Sequence, residues 1–562
     1  MFKLFKYGYG FPRPKFHKPW LHIALLGLWL IIGAGVRFTL LDSKPPWNDE
    51  LATLVFSLGN SLRLVPLDQP MALETLLAPL QPNSANTVGD VVHHLLTEST
   101  HPPVYFILTH AWLKLFPNEA GFVSVWAARS LSALFGIAAI PALFGFGWLT
   151  FRSGWAGQAA AALMAVSPYG VYLAQEARHY TLAILLIIAS LSCLVAVIHR
   201  LGDRLPLPLW LCWVWVGING LGIAVHYFFG LVLAAEAVAL IGTWILDPPL
   251  LPSATKRKLY AVAAGTLSGV VVWIPVWRSV TGNELTEWIY DQNFLSNAIA
   301  PLSRLGVWII TMVLLLPVEG VPLSIAIACG AMVLLATLWL ARVTYQGLKQ
   351  QWHHPEQGRA TRILIGFWLG AIGVTLCLTY GFHADLTIAA RYQFTYFPAV
   401  VTLVGGAIAI SHRSAQTIVL SIILGLLGSL TVVTNYGYQK PDRPDQLVPI
   451  IRDTSQVPVL IATAHQTYEQ TRELMGLALE YHRQSQQSVR ESPAPRFLLA
   501  HLQPGSNTAT TVLQNTVKQL PRPFDLWTVN FLPLVEPEVP TCTLDRINRP
   551  LMHGYDYRLY HC

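Results

Sequence analysis

The sequence predicts a mainly α-helical membrane protein with about eleven transmembrane helices and a small α/β unit at its C-terminal end. Three observations carry this prediction. Of the 562 residues, 53% are hydrophobic and only 12% are charged, roughly half the charged fraction of an average soluble chain. The apolar residues come in runs of about 20, the length that crosses a bilayer. Beyond residue 434 the apolar runs shorten to strand length and alternate with polar helical segments.

The elements follow in order. Lys3, Lys6, Arg13, Lys15 and Lys18 precede the first apolar run, 20–41. That run is too long for a signal-peptide core and lacks a clear small-residue cleavage site, so it reads as a retained anchor with residues 1–19 in the cytoplasm. Further spans are expected at 129–150, 155–172, 179–199, 208–225, 227–246, 259–277, 321–342, 363–381, 393–411 and 416–433. Two apolar pieces, 102–116 and 305–317, are shorter than a normal span. Charge decides their placement. With neither piece crossing, the N-terminus, Arg152, Arg200 with Arg204, Lys256-Arg257-Lys258, the loop of Arg342, Lys349, Arg359 and Arg362, and Arg413 all face the cytoplasm, which is the positive-inside arrangement. The net charge of +7 then implies no nucleic-acid partner. Both pieces are expected as helices on or dipping into the outer leaflet. The transmembrane domain is 20–433, in a bacterial-type plasma membrane, with the N-terminus inside and the C-terminal unit, 434–562, outside. Outer loops fall at 42–128 and about 278–320.

In the tail, strands are expected at 457–464, 496–502, 524–529 and 555–562, and helices at 466–483 and 507–520. With no nucleotide fingerprint, the unit reads as a cap or acceptor-binding platform. The chain has no CxxC, HExxH, GxxxxGK[ST] or GxGxxG, so metalloprotease, P-loop and dinucleotide chemistry have no motif support. Cys193, Cys212, Cys329 and Cys377 lie in apolar runs and read as core residues. Cys542 and Cys562 share an oxidising space in this topology. They form either a disulfide or two unpaired thiols.

Four stretches hold the residues that could do chemistry. "PPWNDELA" (45–52) puts Asp49 and Glu50 just after the first span. Such a pair often only starts a solvated loop, and Asn48 or Asp49 could cap a helix over 50–58. At an apolar surface a carboxylate can also have a raised pKa and act as a general base. In "THPPVYFILTHAWLKLF" (100–116), His101 is held at the mouth of a helix that Pro102-Pro103 can start; a lone histidine is more often a surface residue. In "SPYGVYLAQEARHYTLAILL" (167–186), Glu176 and Arg178 cluster at a span boundary, where they could pair with each other or line a polar cavity. In "HADLTIAARYQFTYFPAV" (383–400), Arg391 could hold a phosphate bidentately, while Tyr392, Tyr396 and Phe397 fit an interfacial aromatic belt. His226-Tyr227 is a weaker feature of the same side. One topology brings all of these to the outer face. The set suits attack by a hydroxyl on a substrate with a lipid phosphate leaving group.

The order of long span, "NDE", "HPPVYFILTHAWLKLF", "AARSLSALFG", "SPYGVYLAQEARHYTL" and "ARYQFTYFPAV" resembles bacterial polytopic glycosyltransferases of the GT-C fold. More narrowly, it is similar to the branch related to dolichyl-phosphate-mannose protein mannosyltransferases and to the aminoarabinose transferase of lipid A. The resemblance covers roughly residues 20–435. It implies a polyprenyl-phosphate sugar donor, a lipid, glycan or protein acceptor, and inversion at the anomeric carbon. It gives Asp49 the role of base and Glu50 a supporting role, both as catalytic residues. His101 stands where the aminoarabinose branch has a lysine, Arg391 is the candidate for the phosphate, and Glu176 and Arg178 should line the cavity; Tyr392 and His226 complete the candidate binding residues. Some members of the wider fold use a divalent ion, but Asp49-Glu50 lacks a DxD spacing, which favours a metal-free reaction with no cofactor.

Two other classes fit the outline. A transporter or flippase would carry internal repeats and charges near the bilayer midplane, whereas the polar clusters here lie at span ends. A ligase or polymerase of lipid-linked glycans would share the outline with a different donor.

Overall fold

The computed structural model describes residues 19–246, 252–280, 289–290, 298–411, 414–436, 442–487, 494–503, 506–531, 539–547, 550, 552 and 554–562. The basic N-terminal residues through Lys18, and Arg413, lie outside them. The chain opens with α1 (Pro19–Phe38). The segment between the first two spans then folds into α2 (Asn48–Ser57), α3 (Leu73–Leu76), α4 (Val88–Glu98) and α5 (Val104–Leu113). Next come α6 (Val125–Phe151), α7 (Gly154–Val166), α8 (Pro168–Ala174), α9 (Tyr180–Gly202), α10 (Leu209–Val225), α11 (Phe229–Leu246) and α12 (Ser253–Val271). The short α13 (Ile274–Val280) and α14 (Ala300–Thr311) precede α15 (Leu323–Trp352), α16 (Gly358–Leu376), α17 (Phe397–Ile410) and α18 (Ser414–Val433).

Among the described residues, seven helices are long and apolar enough to cross a membrane: α1, α6, α9, α12, α15, α16 and α18, with α12 and α16 continued to Val276 and Gly381. This is a multi-pass membrane protein. The other four expected spans are also helical, but shorter or broken, and each interruption has a local cause. The run 155–172 splits at Ser167-Pro168, where the Ser167 hydroxyl accepts from the Gly170 amide and donates to the Met312 carbonyl. The run 393–411 begins as a 3-10 turn, Ala390–Thr395, before α17 starts. Of the two short apolar pieces, α5 has 10 residues and α14 has 12. At 1.5 Å per residue they reach about 15–18 Å, roughly half the hydrocarbon thickness.

Small residues let the helices approach. A Cβ on Gly405 of α17 would lie 2.7 Å from the Ala160 amide nitrogen of α7, so only glycine fits there. Of the cysteines expected in the core, Cys193 is buried but Cys377 is exposed. An apolar run in a membrane protein has a lipid face as well as a core face, and the run alone does not distinguish them.

After α18 come α19 (Pro444–Thr454), β1 (Val459–His465), α20 (Tyr468–Gln487), β2 (Arg496–His501), α21 (Thr508–Gln519), β3 (Asp525–Val529), β4 (Thr543–Leu544) and β5 (Tyr557–His561). The sheet order is β2-β1-β3-β5-β4. β1 runs parallel to β2 and β3, and β5 pairs antiparallel with β3 and β4. The crossovers place α20 and α21 on opposite faces, as their separate cores show. Cys542 and Cys562 form a disulfide that ties the end of the chain to the residue before β4.

The core on the α20 face does not stop at this unit. It is continuous with the loop between the first two spans: Leu51, Leu54, Val55, Leu76 and Phe106 share it with Leu447, Leu474, Met475 and Phe497. The loop also covers the free edge of β2. Met71 and Phe497 exchange both backbone hydrogen bonds at 2.9 Å, and the Asp68 amide donates to the Leu499 carbonyl at 2.9 Å. An uncovered strand edge would invite pairing with another chain.

Candidate active site

The site is built on the first turn of α2. The sequence left a cap at Asn48 or Asp49 open; in the structure Trp47 takes the N-cap position without a side-chain bond, and Asn48, Asp49 and Glu50 are the first three helical residues. Successive side chains are turned about 100° apart in a helix, so the three point to different partners. Carboxylates in this turn also meet the positive end of the helix dipole.

Glu50 points inward and is fully buried. Its two oxygens accept from Arg129 Nε at 2.7 Å and Nη2 at 2.8 Å, and Oε1 also accepts from the Ala177 amide at 2.8 Å. Arg129 in turn donates to the carbonyls of Leu41 and Lys44. This junction fastens α2, α6, the end of the first span and the turn 175–178 together. Gln175 of that turn donates to the Thr39 carbonyl at 2.9 Å. Glu176 is buried, and its charge acts on Arg129. Arg178 instead turns to Asp49 and Thr53.

Asp49 points the other way, and its side chain keeps 25% of its exposure. Three guanidinium groups from three parts of the chain converge on it. Arg178 Nη2 lies 3.5 Å from Oδ2, Arg391 Nη2 lies 4.0 Å from Oδ2, and Arg472 Nη1 lies 3.7 Å from Oδ1. Arg178 is positioned by bonds to the Asp49 carbonyl (2.9 Å) and Thr53 Oγ1 (3.0 Å). Arg391 is stacked 4.6 Å over the Trp47 ring and lies 5.3 Å from that of Tyr392. Its 3-10 turn is held by Tyr169, whose hydroxyl donates to the Ala390 carbonyl. Gln393 donates to the Leu386 carbonyl, and buried Asp385 accepts from Thr387 and pairs with Arg304.

Burial alone would raise the Asp49 pKa, as a carboxylate at an apolar surface is expected to show. Arg178, Arg391 and Arg472, with a smaller contribution from His101, outweigh it and hold Asp49 down at about 2. His101 Nε2 is 2.9 Å from Arg178 Nη2. The guanidinium can only donate, so Nε2 is the acceptor and the ring proton sits on Nδ1, facing Ser99 Oγ at 3.1 Å. Burial, then the arginines, push His101 down to about 3. His101 is thus a neutral partner of Arg178. His179 lies between His101 and His226, with ring centroids 5.3 Å and 4.3 Å away respectively, so His226 sits behind the charged cluster. Tyr392 stays with Arg391.

Two participants were not singled out from the sequence. Arg129 was visible inside "AARSLSALFG", where an arginine in an apolar run is itself a signal. Arg472 gave none, since it lies on a helix rich in charged residues.

No family model matches the chain, and no curated protein matches it. Solved structures do resemble it. ArnT from Cupriavidus metallidurans in the apo state is 10% identical with a TM-score of 0.49, covering 96% of this chain and 97% of its own. The archaeal oligosaccharyltransferase AglB from Archaeoglobus fulgidus, in complex with an inhibitory peptide and a dolichol-phosphate, is 11% identical with a TM-score of 0.45, over 92% of this chain and 70% of its own. The S. cerevisiae protein O-mannosyltransferase Pmt1-Pmt2 complex bound to the sugar donor is 13% identical with a TM-score of 0.33, over 47% and 34%. Likenesses of this strength carry no argument about chemistry, which rests on the site itself.

Proposed function

We propose that this chain is a GT-C-type glycosyltransferase that moves a sugar from a polyprenyl-phosphate donor to an acceptor hydroxyl at the extracytoplasmic membrane surface. The observation that carries the reading is the convergence of Arg178, Arg391 and Arg472 on Asp49. Three guanidinium groups face this one carboxylate, while Arg129 is taken up by Glu50 in a separate clasp. A sugar phosphodiester brings one negative charge and departs as a phosphate monoester with nearly two. Guanidinium groups gathered at this point would stabilise the charge that develops on the phosphate as the bond breaks.

In the step itself, the acceptor hydroxyl gives its proton to the Asp49 carboxylate. The oxygen lone pair forms the new bond at the anomeric carbon from the side opposite the phosphate. The old carbon–oxygen bond breaks, and its electron pair leaves on the phosphate. The phosphate is a weak base, so no acid is needed. Glu50 positions the turn that carries Asp49. Support for a reaction without a divalent ion comes from the three guanidinium groups facing Asp49, which repel a cation.

The test is purified protein with a labelled polyprenyl-phosphate sugar. Release of polyprenyl phosphate is expected, and it should be lost in Asp49→Asn. Release that survives Asp49→Asn would remove Asp49 as the base. No turnover with any such donor would favour transport or a diphosphate donor.

A further inference from the structure

The proposed function leaves a difficulty. A carboxylate held by three arginines is a poor proton acceptor, yet Asp49 is asked to take a proton. The geometry of the two neighbouring carboxylates suggests how this resolves. Glu50 and Arg129 meet at 2.7 and 2.8 Å in a two-point clasp, the geometry of a permanent pair. Asp49 has no such clasp, and its three arginine contacts are all longer, at 3.5, 3.7 and 4.0 Å. Each arginine is anchored by something other than the Asp49 carboxylate. Arg178 holds the Asp49 carbonyl and Thr53, Arg391 lies over Trp47, and Arg472 donates through Nε to the Tyr468 carbonyl at 3.2 Å. The cations are fixed by the fold, and the carboxylate is the loosely held member.

Resting on the function proposed above, we propose that Asp49 is a stand-in anion for the donor phosphate. On binding, the phosphate takes over the guanidinium groups, Arg472 of the C-terminal unit among them, and so frees Asp49 to act as base only when the donor is in place. The donor phosphodiester offers two free oxygens and one charge, as the carboxylate does, and it gains a second charge as it departs, so the guanidinium groups hold it more strongly as the bond breaks. Arg472 is thereby a third phosphate-binding cation, and the C-terminal unit is a wall of the reaction centre as well as a cover. It also follows that the donor should bind before the acceptor is deprotonated.

The experiment is a binding titration with polyprenyl phosphate on the full-length protein in detergent. Competition makes a prediction opposite to that for an ordinary contact residue: Asp49→Asn should bind polyprenyl phosphate tighter than the wild type, by about tenfold. Arg472→Gln should bind it about tenfold more weakly, with Arg472→Lys in between. In the double variant the gain from Asp49→Asn should shrink, because one of the shared cations is gone. If the Gln variant fails to fold, the Lys variant alone still carries the comparison. Wild-type affinity in Asp49→Asn would overturn the stand-in role. Unchanged affinity in both Arg472 variants would remove Arg472 from the shared set. Both results would leave the proposed function standing as long as wild-type turnover persists. Failure of the wild type to bind polyprenyl phosphate at all would overturn both readings.

Discussion

Asp49 and Glu50 are adjacent in the chain and share a helical turn, yet their surroundings differ in kind. Glu50 faces a sealed junction, fully buried and matched to a single arginine whose side chain is 1% exposed. Asp49 faces a partly open cluster in which three guanidinium groups lie 3.5–4.0 Å from one carboxylate. One neighbourhood is a tight two-point pair, and the other is a looser cluster that the function proposed above would fill with an anionic ligand. The comparison shows that a buried carboxylate is not a functional signal by itself. A loosely held carboxylate that is still accessible is the better sign.

The largest expected effect breaks the comparison at Asp49. Asp49→Asn keeps the shape of the site but removes the proton acceptor. Turnover of a polyprenyl-phosphate sugar should fall about 10²–10⁴-fold, the usual contribution of a general base. The thermal midpoint should move little, because the carboxylate is partly solvated and loosely paired. A drop in melting temperature that parallels the loss of activity would mean that Asp49, like Glu50, is structural.

Much of this was legible in the sequence, for a physical reason. Charges are rare in a chain that is 12% charged, so Asp49, Arg178 and Arg391 stood out at span ends. The apolar runs likewise marked the spans, and the Ser167-Pro168 break was visible as a break. Partners were not legible. Nothing in "QEAR" says that Arg178 reaches Asp49 while Glu176 stays on the side of Arg129. Arg472 was invisible for the opposite reason to Arg178. On α20 it sits beside Glu469 and Glu473 on what reads as an ordinary solvated face. Only docking of that helix against α2 singles it out, and docking is a property of the assembled core.

The next effect sharpens the Glu50 side. Glu50→Gln or Arg129→Gln leaves one buried charge without its partner, which costs about 3–5 kcal/mol of stability. In a thermal melt of the detergent-solubilised protein, each single variant should unfold well below the wild type. The paired apolar replacement, Glu50→Leu with Arg129→Met, should recover part of the loss. Single variants that melt with the wild type would show that the junction contributes nothing. The disulfide comes next. Closing about 20 residues corresponds to roughly 3 kcal/mol at most, and its effect should stay within the C-terminal unit. Cys542 and Cys562 should take up a thiol label only after reduction, and equal labelling without reductant would rule out the bond.

The smallest effect lies at the third residue of the same turn. Asn48 points to the C-terminal unit, where its amide faces Asp442 Oδ2 at 3.4 Å and its side chain bonds Glu473. Burial raises the Glu473 pKa to about 7. Hydrogen bonds from Asn530 and Asn48 oppose the rise, while Asp442 and Glu469 add to it. The sign follows from linkage. The folded state holds this proton more tightly than the unfolded state, whose glutamate titrates near 4.5. The stabilisation is therefore complete below that value and is lost as pH rises through about 7. Because Glu473 is only partly buried, the change should be on the order of 1 kcal/mol. Melting temperature should accordingly decline slightly between about pH 5 and 7, and Glu473→Gln should flatten that decline without abolishing turnover. A slope that persists in Glu473→Gln would place the titrating group elsewhere. It would leave Asn48 as a contact between α2 and the C-terminal unit with no share in its pH response.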